Sequence, residues 1–137
     1  TTNNLRNVIS FKGWLSKTEM QNEYQSSHLT VIPSLNEGMS IALMEALACG
    51  NYVITTDVSN NKTLISENIN GNIVEKSNPQ QIADKIIYYY KNKFAENYII
   101  SDNDLKKYDN IYNWDGIINK YEIEFIKIIK HHNNNPI

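Results

Sequence analysis

Leu29-Thr30-Val31-Ile32 runs into Pro33-Ser34-Leu35-Asn36-Glu37-Gly38-Met39-Ser40-Ile41-Ala42-Leu43-Met44-Glu45, and Ala46 to Gly50 leads on to Tyr52-Val53-Ile54-Thr55-Thr56. The first and last pieces are short runs rich in β-branched residues and read as buried strands. Pro33 cannot donate to a central ladder and closes the first of them. Between the strands, Ile41, Met44 and Ala48, beside Leu43 and Leu47, repeat at helical spacing, which predicts a helix over Ser40 to Cys49. Gly50 is a suitable residue to end it. A strand, a helix and a second strand in this order make a parallel βαβ unit, so the fold class is α/β.

The same alternation continues on both sides. Val8-Ile9-Ser10-Phe11 is an apolar run ending at Gly13 and reads as another buried strand. Ser16 stands three residues before Glu19 as a capping box, and Leu15 can staple onto Met20, so a helix starts there and ends near Ser26-Ser27-His28. Downstream, Asn60-Asn61 and Asn68 to Gly71 mark a polar loop with turns, and Asn72-Ile73-Val74 is a weak strand. Asn78-Pro79 starts a further helix whose apolar face includes Ile82, Ile86 and Tyr90. Residues 92–112 carry little pattern. Trp114, Ile117, Ile118, Tyr121, Phe125, Ile128 and Ile129 then form an amphipathic stripe. Residues 1–130 read as one domain and 131–137 as a flexible polar tail.

Composition narrows the classes. A chain of 137 residues holds one core. A net charge of −2 gives no electrostatic case for nucleic acid. One cysteine, Cys49, excludes an internal disulfide and fits a reducing, cytoplasmic compartment. One Cys and three His make no structural zinc site. No apolar run approaches the roughly 20 residues of a membrane span.

Glu37 and Glu45 flank the strand-to-helix turn at the carboxyl end of a buried strand, where open α/β sheets bind ligands. The helix starting near Ser40 directs its free N–H groups and positive dipole end at that crevice. Gly38 removes a side chain where a ligand would approach the backbone. Eight residues of helix rise about 12 Å, whereas glycosidase carboxyl pairs stand about 5–9.5 Å apart across one bond. The pair therefore suits an elongated ligand gripped at two places. A sugar joined through a pyrophosphate to a nucleoside has that shape, with hydroxyls at both ends and anionic oxygens between. Against this stands the bland reading, an acid pair placed by helix-dipole preference alone.

At these residues the chain resembles the retaining glycosyltransferases of the GT-B fold, the large fourth family or group 1 type. The resemblance is carried by Pro33-Ser34-Leu35-Asn36-Glu37-Gly38 and Leu43-Met44-Glu45-Ala46-Leu47-Ala48-Cys49-Gly50, with two Glu separated by seven residues. It extends upstream through Val8 to Trp14 and downstream through Tyr52 to Asp57 and Asn70 to Val74. It implies an incomplete Rossmann-like parallel sheet flanked by helices, the C-terminal, donor-binding half of such an enzyme. It implies that Glu37 meets the hydroxyls of the transferred sugar, helped by backbone N–H groups around Gly38, Met39 and Ser40. Ile41 would offer its N–H to the diphosphate, and Glu45 would hold the ribose. Sugar transfer with retention, to a glycan or lipid-linked acceptor, would need no metal and no cofactor beyond the nucleotide-sugar donor.

The departures carry expectations of their own. Where the family often has Gly-Gly and a following Glu after the third strand, Ser59-Asn60 and Thr63 stand here. The family's acceptor-binding N-terminal domain and the first two strand–helix units of the donor domain are missing, and no Arg follows Arg6 to replace their phosphate clamp. The main catalytic groups are then expected outside this sequence, which alone would be an inactive fragment. The N-terminal acceptor domain of the full-length chain is the expected partner, at the inner face of the membrane or free in the cytoplasm. In a sheet ordered 3-2-1-4-5-6, the strand at residues 8–11 would be number three and lack its neighbour. It would be disordered, pair with an exposed edge or swap between chains.

Other motifs have plainer readings. Asp102-Asn103-Asp104 imitates a metal-diphosphate motif but lies among polar residues and reads as capping or solvated. Tyr88-Tyr89-Tyr90 and Trp114 read as buried on amphipathic helices rather than as base-stacking platforms. His28 is a boundary residue, Cys49 a small buried one, and His131-His132 belong to the tail. Asn61-Lys62-Thr63 matches a glycosylation acceptor that an intracellular chain never presents. The competing functions are a non-catalytic nucleotide-sugar or phosphate-binding module and a receiver-like interaction domain. A receiver-type domain wants its acids at the ends of early strands, which Glu37 and Glu45 do not supply.

Overall fold

The computed structural model describes residues 8–93 and 113–134. Three parallel strands form the sheet in the order β1-β2-β3: β1 Leu29–Ile32, β2 Tyr52–Thr56 and β3 Gly71–Val74. The registers run from Leu29 against Tyr52 and from Val53 against Gly71. Among the described residues five helices accompany them: α1 Lys17–Ser26, α2 Ile41–Ala48, α3 Asn61–Leu64, α4 Pro79–Asn92 and α5 Trp114–Asn134. β2 is the central strand and all five of its residues are buried.

The period-two alternation of the strands sorts the core into two clusters on opposite faces of the sheet. Ile32 and Val53 join Leu43, Ala46 and Leu47 of α2, with Leu64 and Ile65, on one face. Tyr52, Ile54 and Val74 join Tyr89 of α4 on the other, with Leu29, Val31 and Ile82 packed around them. Full burial of a side chain such as Leu43 or Leu47 contributes about 1.5–3 kcal/mol, so α2 is held to the sheet mainly by these residues. Tyr89 stacks on Tyr52 with ring centroids 4.9 Å apart, and its hydroxyl donates to the His28 carbonyl at 3.1 Å. Gly71 is demanded by the sheet, because a Cβ there would stand 2.2 Å from the Val53 carbonyl oxygen. Gly50 ends the α2 segment in left-handed backbone, φ 82.

Several expectations need correction. Residues 8–11 form no strand, and Phe11 and Trp14 are 95% and 98% exposed. A strand exists through its ladder and the layer it covers, and this segment has neither among the described residues. The inward face of α2 is Leu43, Ala46 and Leu47; Ile41 and Ala48 face solvent. On α4 the buried residue is Tyr89, while Tyr90 is exposed and Ile86 borders on it, because the Tyr52 stack and the His28 bond set the helix rotation. The loop expected after β2 contains α3, with Leu64 buried in the core. Cys49 is half-buried rather than buried, because it caps α2 at the edge of a groove.

The helix α5 runs to Asn134 and takes in residues 131–134 of the segment read as a tail, since adding residues to an existing helix costs little. Of its stripe, Ile117 is half-buried and Ile118, Tyr121 and Phe125 are exposed. The side chains of Trp114, Ile128 and Ile129, and Asp102-Asn103-Asp104, lie outside the described residues. Among those described, no helix is long and apolar enough to cross a membrane.

Candidate functional site

The end of β1 and the start of α2 are joined by residues 33–40, and this turn carries Glu37. Thr56, at the end of β2, donates from Oγ1 to the Ser34 carbonyl at 2.5 Å. The Ser34 hydroxyl in turn donates to Glu37 Oε1. The other carboxylate oxygen, Oε2, is shielded from solvent and accepts no hydrogen bond among the described residues. The hydrogen bond from Ser34, with a lesser contribution from the nearby Ser40 hydroxyl, holds the Glu37 carboxyl below the ordinary carboxylate range. Glu37 is therefore ionised at neutral pH, with one oxygen held and one unmatched.

Ser40 is buried as the N-cap of α2, its side chain accepting the Leu43 amide at 3.4 Å. The Ile41 amide donates to the Met39 carbonyl at 3.1 Å, closing a tight turn before the helix. Among the described residues the amides of Gly38, Met39, Ser40 and Ala42 donate to no protein acceptor, so the helix start keeps unmatched donors beside Glu37. Gly38 is required neither by its backbone angle nor by packing: nothing lies within 4 Å of a Cβ built there. Met39 and Ile41 expose their side chains on either side of this turn.

Glu45 lies one turn further along α2 and faces elsewhere. It lines a groove of about 490 Å³ between α1 and α2, with Leu15, Met20, Tyr24 and Ala48 as its less polar wall. Lys17, Gln21 and Tyr24 of α1 line it at helical spacing, and Cys49 closes the α2 side. Burial, then the Glu45 charge and that of Cys49 once it ionises, raise the Tyr24 hydroxyl above its usual range; burial and Glu45 raise the Cys49 thiol. Cys49 is thus a thiol at rest. The helix α1 buries none of its own residues and is set by its capping box, in which Ser16 and Glu19 satisfy each other's groups. Asn51, fully buried, ties it to the sheet by donating to the Tyr24 carbonyl at 2.7 Å and accepting from Thr30 at 3.2 Å. The structure therefore gathers Glu37, Gly38, Met39, Ser40 and Ile41 at one turn and sets Glu45 apart, on a separate groove.

Residues 2–109 match the sequence profile of the family described as Glycosyl transferases group 1. The chain belongs to the group 1 glycosyl transferases. An uncharacterized glycosyltransferase of Methanocaldococcus jannaschii is 28% identical to it over 123 residues, 87% of this chain and 31% of that protein. The UDP-Gal:alpha-D-GlcNAc-diphosphoundecaprenol alpha-1,3-galactosyltransferase of Escherichia coli is 25% identical, over 94% of this chain and 32% of its own length. The poly(glycerol-phosphate) alpha-glucosyltransferase of Bacillus subtilis is 28% identical over 85% of this chain and 18% of its own length. Among solved structures, sucrose-phosphate synthase from Thermosynechococcus elongatus superposes with a TM-score of 0.76 over 93% of this chain, at 20% identity, covering 32% of that structure. That likeness establishes the GT-B fold, and the group 1 domain here spans about a third or less of the relatives it matches.

Within this group 1 domain, Thr56 and Ala42, which sequence reasoning did not single out, shape the site together with Ser59, noted in the sequence only as a departure from the resembled pattern. Thr56 and Ser59 reach the Glu37 turn by long-range hydrogen bonds that no local pattern announces. The Ala42 amide is unmatched, whereas that of Ile41 is engaged. Asn61 of the acceptor-like triplet is 1% exposed and donates to Thr55 Oγ1 at 2.9 Å and the Thr56 carbonyl at 3.1 Å, so it is a strut under β2. Among the described residues no group of three or more His, Cys, Asp or Glu could hold a metal ion.

Proposed function

We propose that this chain is the donor-binding part of a glycosyltransferase that moves a sugar from a nucleoside-diphosphate sugar to a glycan or lipid-linked acceptor with retention. One observation carries the reading. An ionised carboxylate with an unmatched, shielded oxygen stands beside unmatched amides at a helix start, while a second carboxylate on the same helix opens onto a separate groove.

In this reading Glu37 accepts hydrogen bonds from hydroxyls of the transferred sugar, and the amides of Gly38, Met39 and Ser40 donate to the same end. The space in front of Gly38 is kept for the ligand. The diphosphate lies against the first turn of α2, where Ala42 offers its free amide and Ile41 can offer its own by releasing Met39. Glu45 accepts from the ribose hydroxyls, and the nucleoside end enters the groove between α1 and α2. A groove of about 490 Å³ falls within the range of about 300–1,000 Å³ usual for small-molecule sites. The names of two relatives specify alpha linkages, which retention yields from an alpha-linked donor, and one names a UDP-linked sugar and a diphosphoundecaprenol acceptor. The acceptor site and the remaining catalytic groups belong to parts of the protein outside this domain.

The test is sugar transfer and donor binding by the complete protein and its Glu37→Gln and Glu45→Gln variants. Hydrogen bonds to a charged group contribute about 1.5–3 kcal/mol, so each variant should lose roughly 10- to 150-fold in donor affinity or transfer. Glu45→Gln should weaken nucleoside diphosphate and nucleotide sugar alike, and Glu37→Gln mainly the latter. Full transfer activity in both variants, with folding intact, sinks the assignment.

A further inference from the structure

Ser59 lies in the connection between β2 and α3 in left-handed backbone, φ 50, a conformation that L side chains rarely adopt. Glycine would take that backbone freely, so the turn alone does not call for serine. The serine hydroxyl donates to the Gly38 carbonyl, in the turn that carries Glu37. Three residues earlier on the same segment, Thr56 Oγ1 donates to the Ser34 carbonyl at 2.5 Å. The stretch 34–38 is therefore clasped at its first and last residues by two hydroxyls from residues 56–59.

The clasp is anchored. The Asp57 amide donates to the Val74 carbonyl at 3.1 Å, Asn61 Nδ2 donates to the Thr56 carbonyl at 3.1 Å, and Val58 is buried. Its grip has a defined consequence, because a trans peptide is planar and its C=O and N–H point in opposite directions. Fixing the Gly38 carbonyl fixes the Met39 amide in the same plane and turns it away from Ser59, among the unmatched donors beside Glu37. We propose that Ser59 is a positioning residue for donor recognition: it aims the Met39 amide, and with it the turn bearing Glu37, at the transferred sugar. This rests on the donor-binding reading above and assigns a role to a position where no side-chain contact with the ligand is needed.

The experiment uses the complete protein with Ser59→Gly, Ser59→Ala and Glu37→Gln variants. Affinities for UDP-galactose and UDP, and for GDP-mannose and GDP, are measured beside thermal melts. Ser59→Gly removes the hydroxyl and relieves the backbone, so it should melt at or above the wild-type temperature. Even so, it should lose about fivefold to tenfold in affinity for the nucleotide sugar, the worth of one oriented hydrogen bond, with the affinity for the nucleoside diphosphate unchanged. Ser59→Ala should show the same ratio and a lower melting temperature. A Ser59→Gly ratio equal to wild type, or an equal loss for both ligands, overturns the inference. An unchanged ratio in Glu37→Gln, or no nucleotide binding at all, instead overturns the reading beneath it.

Discussion

Gly71→Ala tests whether the joint between β2 and β3 is as tight as the geometry demands. The new Cβ would stand 2.2 Å from the Val53 carbonyl oxygen, 2.9 Å from Ile65 Cδ1 and 3.1 Å from the Val53 carbonyl carbon. The Ile65 methyl can swing aside; the Val53 backbone, in the central buried strand, has no room. Restoring an ordinary contact of 3.4 Å or more would need a displacement of about 1 Å between neighbouring strands. The Val53 amide now donates to the Asn70 carbonyl at 3.0 Å, and a shift of that size would carry it beyond hydrogen-bond range. Overpacking costs about 1–3 kcal/mol, and each ladder bond lost adds about 0.5–1.5 kcal/mol. The smaller unfolded-state entropy of alanine returns about 0.4–1 kcal/mol. At the middle of these ranges the net loss is about 2 kcal/mol, a large fraction of the roughly 5–15 kcal/mol that holds an ordinary domain. With a urea slope of about 2 kcal/mol/M the unfolding midpoint should fall by about 1 M at unchanged slope. A midpoint within about 0.3 M of wild type would refute the reasoning, because the sheet would then have absorbed the methyl without opening.

Gly38→Ala is the complementary case: with open space at its Cβ and no left-handed backbone, it should leave stability unchanged or raise it by up to about 1 kcal/mol. Nucleotide-sugar affinity should nevertheless fall by about tenfold or more in a titration, since the methyl enters the space kept for the ligand; unchanged binding would move the ligand elsewhere. The Glu37 carboxyl sits below its ordinary range, with Ser34 the main cause. A depressed folded pKa gives a stabilising contribution present above the unfolded pKa and lost as pH falls through the folded one. The stability difference between wild type and Glu37→Gln, followed by urea melts from pH 7 into the acid range, should shift steadily toward the Gln variant. A difference flat with pH would show that the Ser34 bond does not hold the ionised form.

What was legible in the sequence was local. The Ser16–Glu19 capping box reads directly because both partners lie within one helical turn, and the order of strands and helices from β1 to α4, except α3, follows from apolar period and turn residues. Where a reading needed a partner distant in the chain, it failed or was incomplete. The run at 8–11 has strand composition, but composition does not supply a ladder. Periodicity placed the inner face of α4 only to within one residue, and the choice of Tyr89 over Tyr90 was made by Tyr52 and His28, 37 and 61 positions away. The site divides in the same way. Glu37, Gly38 and Glu45 stand out because the chemistry they offer is their own. Thr56 and Ser59 act through carbonyls 22 and 21 residues back along the chain, and in the sequence Ser59 looks only like a loop residue. Glycine would take the backbone at φ 50 more freely than serine does, and the hydroxyl is the one group that serine adds there. A strained residue whose only distinct group reaches the turn bearing Glu37 is better explained by what it holds there than by the loop it occupies.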